Sequence, residues 1–376
     1  MLTGSTLAIA ALELFQLIPI LLFALGAGSL ADAVDRRRLL TATQIGLAAC
    51  SLALVLLTVA GPPLVAALFV VAFAAGGLAA VDQPARASAI PRLVPAERLP
   101  SAIALNQLNF QLASIVGPAI GGLLIATVGL AGAYTIDLIS FIASLTALLV
   151  IHPIPPIGVV TRPGLEAIRE GLRYARRRRA ILGSFVIDLN AMIFGMPTSL
   201  FPVLALSVFD TGAAGFGLMA AAPAAGAFLG ALFSGWVGSV RRTGRAILWA
   251  VVAWGLAITA FGLVTVSFPL ALFFLAVAGA ADVFSAVFRS TLVQLDTPDE
   301  LRGRIMSIHA LVVTSGPRLG DIEAAVVATL TSPQFAVVSG GVLCVIGVGV
   351  VARWFPELAR HTIGSPAGKP AERAVG

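Results

Sequence analysis

Long apolar runs, interrupted by short clusters of Arg, Pro and Gly, follow one another along almost the whole chain. A helix rises about 1.5 Å per residue, so crossing a hydrocarbon core about 30 Å thick takes roughly 20 mostly apolar residues. Eleven runs meet or approach that length: 7–30, 39–60, 64–81, 103–128, 131–151, 181–208, 216–237, 246–266, 268–288, 305–330 and 335–351. Gly and Pro inside them do not argue against helix, because both are more frequent in membrane spans than in soluble helices. The pattern predicts an all-α membrane protein with eleven transmembrane helices.

The polar breaks between the runs alternate in charge. Arg36, Arg37 and Arg38 fill the first, Arg86, Arg92 and Arg98 the third, and Arg162, Arg169, Arg173 and Arg176 to Arg179 the fifth. Arg241, Arg242 and Arg245 follow in the seventh, Arg289, Arg302 and Arg304 in the ninth, and Arg353, Arg360, Lys369 and Arg373 in the tail. The intervening breaks, around Gly61, Gly129, Asp210, Ser267 and Ser332, hold no Lys or Arg, and Arg318 alone falls inside a run. Basic loops stay on the cytoplasmic side, so the C-terminus is expected inside and the N-terminus outside.

Composition agrees and excludes other classes. The chain is 59% hydrophobic and 11% charged with a mean hydropathy of +1.00, against about 25% charged residues in a soluble domain. The net charge of +6 reports topology, and nucleic-acid binding is not expected. Cys50 and Cys344 sit in apolar runs, and His152, His309 and His361 are scattered without metal-ligand spacing. Neither redox chemistry, a metal nor a cofactor is expected. The sequence shows no GxxxxGK[ST] loop for an ATP motor, no HExxH and no clear serine nucleophile with its base, so an enzyme is not expected.

A segment pair recurs at an offset of 203 residues: Arg86, Pro95 and Glu97 match Arg289, Pro298 and Glu300. After a small length change, Gly117-Pro118-Ala119-Ile120-Gly121 matches Gly316-Pro317-Arg318-Leu319-Gly320. Duplication of a helical unit produces such a pattern, and internal repeats are a signature of transporter folds. The division expected is an N-terminal bundle over 1–151, a basic cytoplasmic connector over 152–180, a C-terminal bundle over 181–352 and a cytoplasmic tail over 353–376. Five runs precede the connector and six follow it, so the counterpart of the sixth run would precede Met1, and an N-terminal helix missing through truncation or start assignment is the expectation.

Ionisable groups within spans are costly, about 2.5–3.5 kcal/mol on insertion scales, so each is a functional candidate. Asp321 and Glu13 rank first for binding a proton, followed by Asp188, Asp282 and Glu323, with Asp137 last. Arg318 and Asp321 are three apart on one helix face, where an ion pair would lower the cost of both; a static bridge is the alternative. Gln107, Gln111 and Ser114 share a face of the fourth run, as a helix lining a polar cavity would, though inter-helix hydrogen bonding explains them too. Gly226, Gly230 and Ser234 form a small-residue ridge, for which plain packing is the simpler reading.

Two motifs carry a resemblance. Gly28-Ser29-Leu30-Ala31-Asp32 followed by Arg36-Arg37-Arg38 resembles the signature loop of the major facilitator superfamily, and Gly117-Pro118-Ala119-Ile120-Gly121-Gly122-Leu123 resembles its exporter-associated fifth-helix motif. Within the superfamily the chain is similar to the enterobactin-exporter-like, transmembrane secretion effector group. The resemblance implies a two-bundle helical transporter (5 + 6 helices here). Gly28, Asp32, Arg36 and Arg37 would form a cytoplasmic gate, and Gly117, Pro118, Gly121 and Gly122 an export-type motif. Asp35 stands where the family has Gly, so the turn is expected to differ while the charges survive. Also implied is a secondary active, proton-coupled exporter of small amphiphilic compounds (siderophore, drug or secondary metabolite), monomeric among lipids of a bacterial inner membrane. The alternative is a non-transporting protein, inactive without its first helix.

Overall fold

The computed structural model describes residues 11–12, 14–19, 22, 34–61, 65–95, 98–155, 172–233 and 240–362, and the regular structure among them is helical. The helices are α1 (Arg36–Val59), α2 (Val65–Leu93), α3 (Leu99–Val150), α4 (Arg179–Phe194), α5 (Phe201–Ser207), α6 (Gly212–Leu232), α7 (Thr243–Leu263), α8 (Phe268–Asp296), α9 (Asp299–Leu330), α10 (Pro333–Trp354) and the short α11 (Pro356–Arg360), with a 3-10 turn at Thr198–Leu200. Eight stretches of the described residues are long and apolar enough to cross a membrane. The first expected span, 7–30, lies largely outside the described residues. The tenth falls on α9, whose polar side chains keep it out of that set. The chain is therefore a multi-pass helical membrane protein, while the number eleven is not established.

Three departures from the simple run of spans are seen, the first two with local causes. The fourth and fifth expected spans are two helices joined at a kink within the 52-residue stretch Leu99–Val150, with Gly129 at φ 75, ψ 177 between them. A straight helix of that length would reach about 78 Å, far beyond the hydrocarbon core, and only glycine enters this backbone region cheaply. Gly129 therefore turns the chain back. The sixth expected span, 181–208, is broken: α4 ends at Phe194, and Gly195, Met196 and Pro197 separate it from the 3-10 turn and α5. Proline has no N–H to continue the ladder and disfavours helix in the residue before it. The ninth expected span ends at 288, yet α8 continues to Asp296, so Arg289 lies inside a span and Arg318 is not alone in doing so.

Two compact units emerge, each drawn from several chain segments: Met1–Glu166, Pro197–Ala224 and Asp321–Ala336 in one, Ala167–Met196, Ala225–Gly320 and Val337–Gly376 in the other. In the first, the start of α1 and the ends of α2 and α3 converge. Arg36 N donates to Ile154 O at 3.1 Å, Arg92 Nη1 to Pro155 O at 3.0 Å, and Leu40, Ala85, Ala89, Leu148 and Ile154 are buried together beneath them. In the second, a carbon added to Gly226 would lie 1.8 Å from Ala276 O and one added to Gly230 3.2 Å from Ala280 Cα. Small residues thus let α6 and α8 touch backbone to backbone. Outward faces carry large apolar side chains such as Leu149, Trp249 and Leu263, all more than 60% exposed, as suits lipid contact.

Candidate functional site

Within the second unit, α8 presents Asp282, Ser285 and Arg289 at spacings of three and four, hence on one face. Asp188, near the middle of α4, completes the group. Arg289 Nη2 lies 2.8 Å from Asp188 Oδ1 and 3.8 Å from Asp282 Oδ1, and Nη1 donates to Ser285 Oγ at 2.6 Å. The side chains of Arg289 and Asp188 are 2% and 0% exposed, that of Asp282 30%. Both oxygens of Asp188, Oδ1 of Asp282 and Nε of Arg289 are buried and have no well-aligned hydrogen-bond partner among the described residues. His309 of α9 stacks on Phe185, one turn before Asp188, with ring centroids 6.0 Å apart. Two acids thus share one guanidinium in apolar surroundings. Sequence reading selected both acids and missed the cation between them. It ended the span at Arg289, whereas an arginine with a buried acid opposite continues a helix. A carboxylate one helix away cannot be read from the apolar run itself.

Asp321, ranked first on sequence, occupies a different setting in the first unit. Its oxygens accept from Thr198 Oγ1, both at 2.8 Å, and Oδ1 accepts from the Ser199 N–H at 2.6 Å. Ser199 Oγ in turn donates to the Asp321 carbonyl at 3.1 Å. The carboxylate therefore caps the chain where it resumes helix after Pro197, satisfying an amide that the break leaves without a helical acceptor. In the second unit, the Gly195 carbonyl before the break accepts from Trp254 Nε1 at 2.8 Å. Glu323 and Arg318 are half-buried on α9. Asp137 is exposed and accepts a short hydrogen bond from Ser51. Glu13, Gly28 and Asp32 lie outside the described residues, as do the side chains of Gln107 and Gln111 on α3.

The motif residues that are described have identifiable contacts. Arg37 donates from Nε to Leu148 O at 2.8 Å and from Nη2 to Leu149 O at 3.0 Å, covering carbonyls that the end of α3 leaves open, where positive charge is favoured. Arg36 is 8% exposed. Asp35 caps α1 by accepting from Arg38 N at 3.1 Å. Gly122 of α3 meets Gly217 of α6 so closely that a carbon on Gly122 would lie 2.6 Å from Ala213 O, and one on Gly217 2.6 Å from Pro118 O. Gly117 and Gly121 have open space instead. A buried acid overlooked in sequence, Asp82 of α2, accepts from Thr43 Oγ1 at 2.8 Å, Gln44 Nε2 at 3.1 Å and Arg86 Nη2 at 3.0 Å.

A buried charge group in an all-helical, lipid-facing scaffold suits a transporter better than a catalyst, and comparison with known proteins decides the family. The family profile described as transmembrane secretion effector matches residues 1–362. The chain belongs to that family of major facilitator transporters. Among curated relatives of this transporter, the enterobactin exporters of Citrobacter koseri and Shigella boydii are each 29% identical over 328 residues, 85% of this chain and 77% of theirs. Among solved structures, the nucleoside transporter NupG superimposes with a TM-score of 0.68 at 16% identity, covering 96% of this chain and 92% of that one. A bacterial homologue of the iron transporter ferroportin, in its inward-facing state, gives 0.68 at 18% identity over 95% and 91%. At such identities the structures show the fold. The transporter is accordingly a multi-pass, non-enzymatic membrane protein that moves a small molecule.

Proposed function

We propose that this transporter is a proton-coupled exporter of a small amphiphilic compound, and that Asp188, Asp282 and Arg289 carry its coupling proton. The single observation behind this is the shared guanidinium: two buried carboxylates face one cation, with Asp188 at 2.8 Å and sealed, Asp282 at 3.8 Å and partly exposed. One negative charge is left over, and in apolar surroundings a bound proton is the smallest group that neutralises it. Asp282, the more distant and more exposed acid, is where that proton enters and leaves. The relatives' name, enterobactin exporter, favours a siderophore among the amphiphilic cargoes. Within a bacterial inner membrane the C-terminus lies in the cytoplasm, the side that the arginine-rich breaks favour, and the transporter acts as a monomer.

The test is proton-driven efflux from energised everted vesicles. Asp282→Asn leaves one acid for one guanidinium, so the protein is expected to fold and to lose proton-driven efflux while still binding cargo. Efflux at the wild-type rate in that variant would remove the coupling role from this group.

A further inference from the structure

Residues 355–361, following α10, form a bend clasped by three other elements of the second unit. Arg179, first residue of α4, donates a short hydrogen bond to Trp354 O, stands 3.4 Å from Glu357 Oε1 and lies over the Phe355 ring at 5.5 Å. One turn on, Gly183 admits the segment: a carbon added there would lie 2.9 Å from Phe355 Cβ and 3.2 Å from Leu358 Cβ. At the start of α7, Gly244 is pressed so closely that an added carbon would lie 1.6 Å from Leu358 O, and its N–H donates to His361 O at 3.3 Å. Thr243 Oγ1 is 2.7 Å from His361 Nδ1. At the end of α8, Asp296 Oδ2 is 3.1 Å from His361 Nε2, and the Asp296 carbonyl accepts from Tyr174 OH at 2.9 Å. Leu358, at the centre, is 0% exposed.

Two of the three helices clasped by this bend, α4 and α8, are those whose charges pair. Gly183 precedes Asp188 by five residues on α4, and Asp296 follows Arg289 by seven on α8, so each contact lies within about 11 Å of the ion pair along its helix. Fixing both helices so near the pair fixes their axial register. We infer that residues 355–361 are a positioning hook that sets Asp188 against Arg289, with the contact between His361 and Asp296 as its tie. The inference rests on the coupling role proposed above for that pair.

Thermal unfolding of the full chain in lipid nanodiscs tests the tie without requiring transport. Wild type is expected to exceed His361→Gln by roughly 2–4 °C. Asp296→Asn should cost the same, and the double variant no more than either single one. No gap, or single losses that simply add, overturns the tie. Efflux from everted vesicles, whose outer face is the cytoplasmic one, then tests positioning. His361→Gln should slow efflux by about three- to tenfold. Efflux at the wild-type rate, with the unfolding result intact, overturns the positioning role and leaves the coupling proposal standing. If Asp282→Asn keeps proton-driven efflux, the coupling proposal fails instead, whatever His361 does.

Discussion

Helices α2 and α8 are both 29 residues long and begin and end 203 positions apart, so Asp82 and Arg86 on one correspond to Ser285 and Arg289 on the other. In each, the arginine reaches back one turn: Arg86 to Asp82 at 3.0 Å, Arg289 to Ser285 at 2.6 Å. There the likeness ends. The Arg86 side chain is 50% exposed and its acid has further donors in Thr43 and Gln44. Arg289 is 2% exposed, its own turn offers a hydroxyl, and its acids are Asp188 on another helix and Asp282 two turns back. On equivalent helix positions, one copy settles its charge locally with a full set of donors, and the other spreads it between helices and leaves oxygens unmatched. The first arrangement holds a fold; the second can change when a proton arrives.

The largest effect expected separates the two arginines. Arg289→Ala strands two buried carboxylates, and losing one partner of a buried ion pair costs about 3–5 kcal/mol. Arg86→Ala removes a half-exposed i, i+4 pair, worth about 0–1 kcal/mol after solvent screening. Unfolding midpoints of the two variants in nanodiscs measure the contrast, and equal losses would erase it.

Next come the acids. Asp188→Asn is expected to cost about 1–3 kcal/mol and more than Asp282→Asn, because Asp188 is the closer and fully buried partner of Arg289. Asp82→Asn should cost a similar 1–3 kcal/mol, about what a mismatched buried acceptor loses, yet leave proton-driven efflux unchanged. If Asp82→Asn uncoupled transport, local satisfaction of charge would not distinguish structural acids from working ones.

How much of this was visible in the sequence follows from the range of each interaction. The apolar runs that make the chain a multi-pass helical membrane protein and the break at Gly129 are local properties, and they read correctly. The break at Gly195 to Pro197 sat inside a run whose hydropathy never dips, because Gly, Met and Pro are not charged. Arg289 was assigned to a loop for the opposite reason: it is charged, and its neutralising partner is 101 residues earlier. Asp321 ranked first as an ionisable group within a span, but that position does not tell a carboxylate short of donors from one that caps a helix.

That distinction gives a smaller prediction. Asp321→Ala removes the cap on Ser199 and should cost about 0.5–2 kcal/mol, whereas Asp321→Asn keeps an acceptor oxygen for Ser199 N–H and should retain most stability and efflux. Loss of proton-driven efflux in a stable Asp321→Asn protein would instead return the coupling role to Asp321.

The smallest change expected is also the sharpest probe of the duplicated position. Ser285→Ala deletes one hydrogen bond to Arg289 and should cost about 1 kcal/mol, with the ion pair to Asp188 intact. Ser285→Asp does something different: it places on α8 the acid that α2 carries at Asp82, giving Arg289 a partner within its own turn. On Arg289 alone it would imitate the first copy, but with Asp188 and Asp282 present it crowds a third carboxylate around one cation. Combining Ser285→Asp with Asp188→Asn restores the original count of two acids while moving one from α4 to α8. That double variant is expected to unfold at a temperature closer to wild type than Ser285→Asp alone, and to lose proton-driven efflux because the charge no longer ties two helices together. Efflux retained in it would mean that the number of acids matters and their distribution between helices does not.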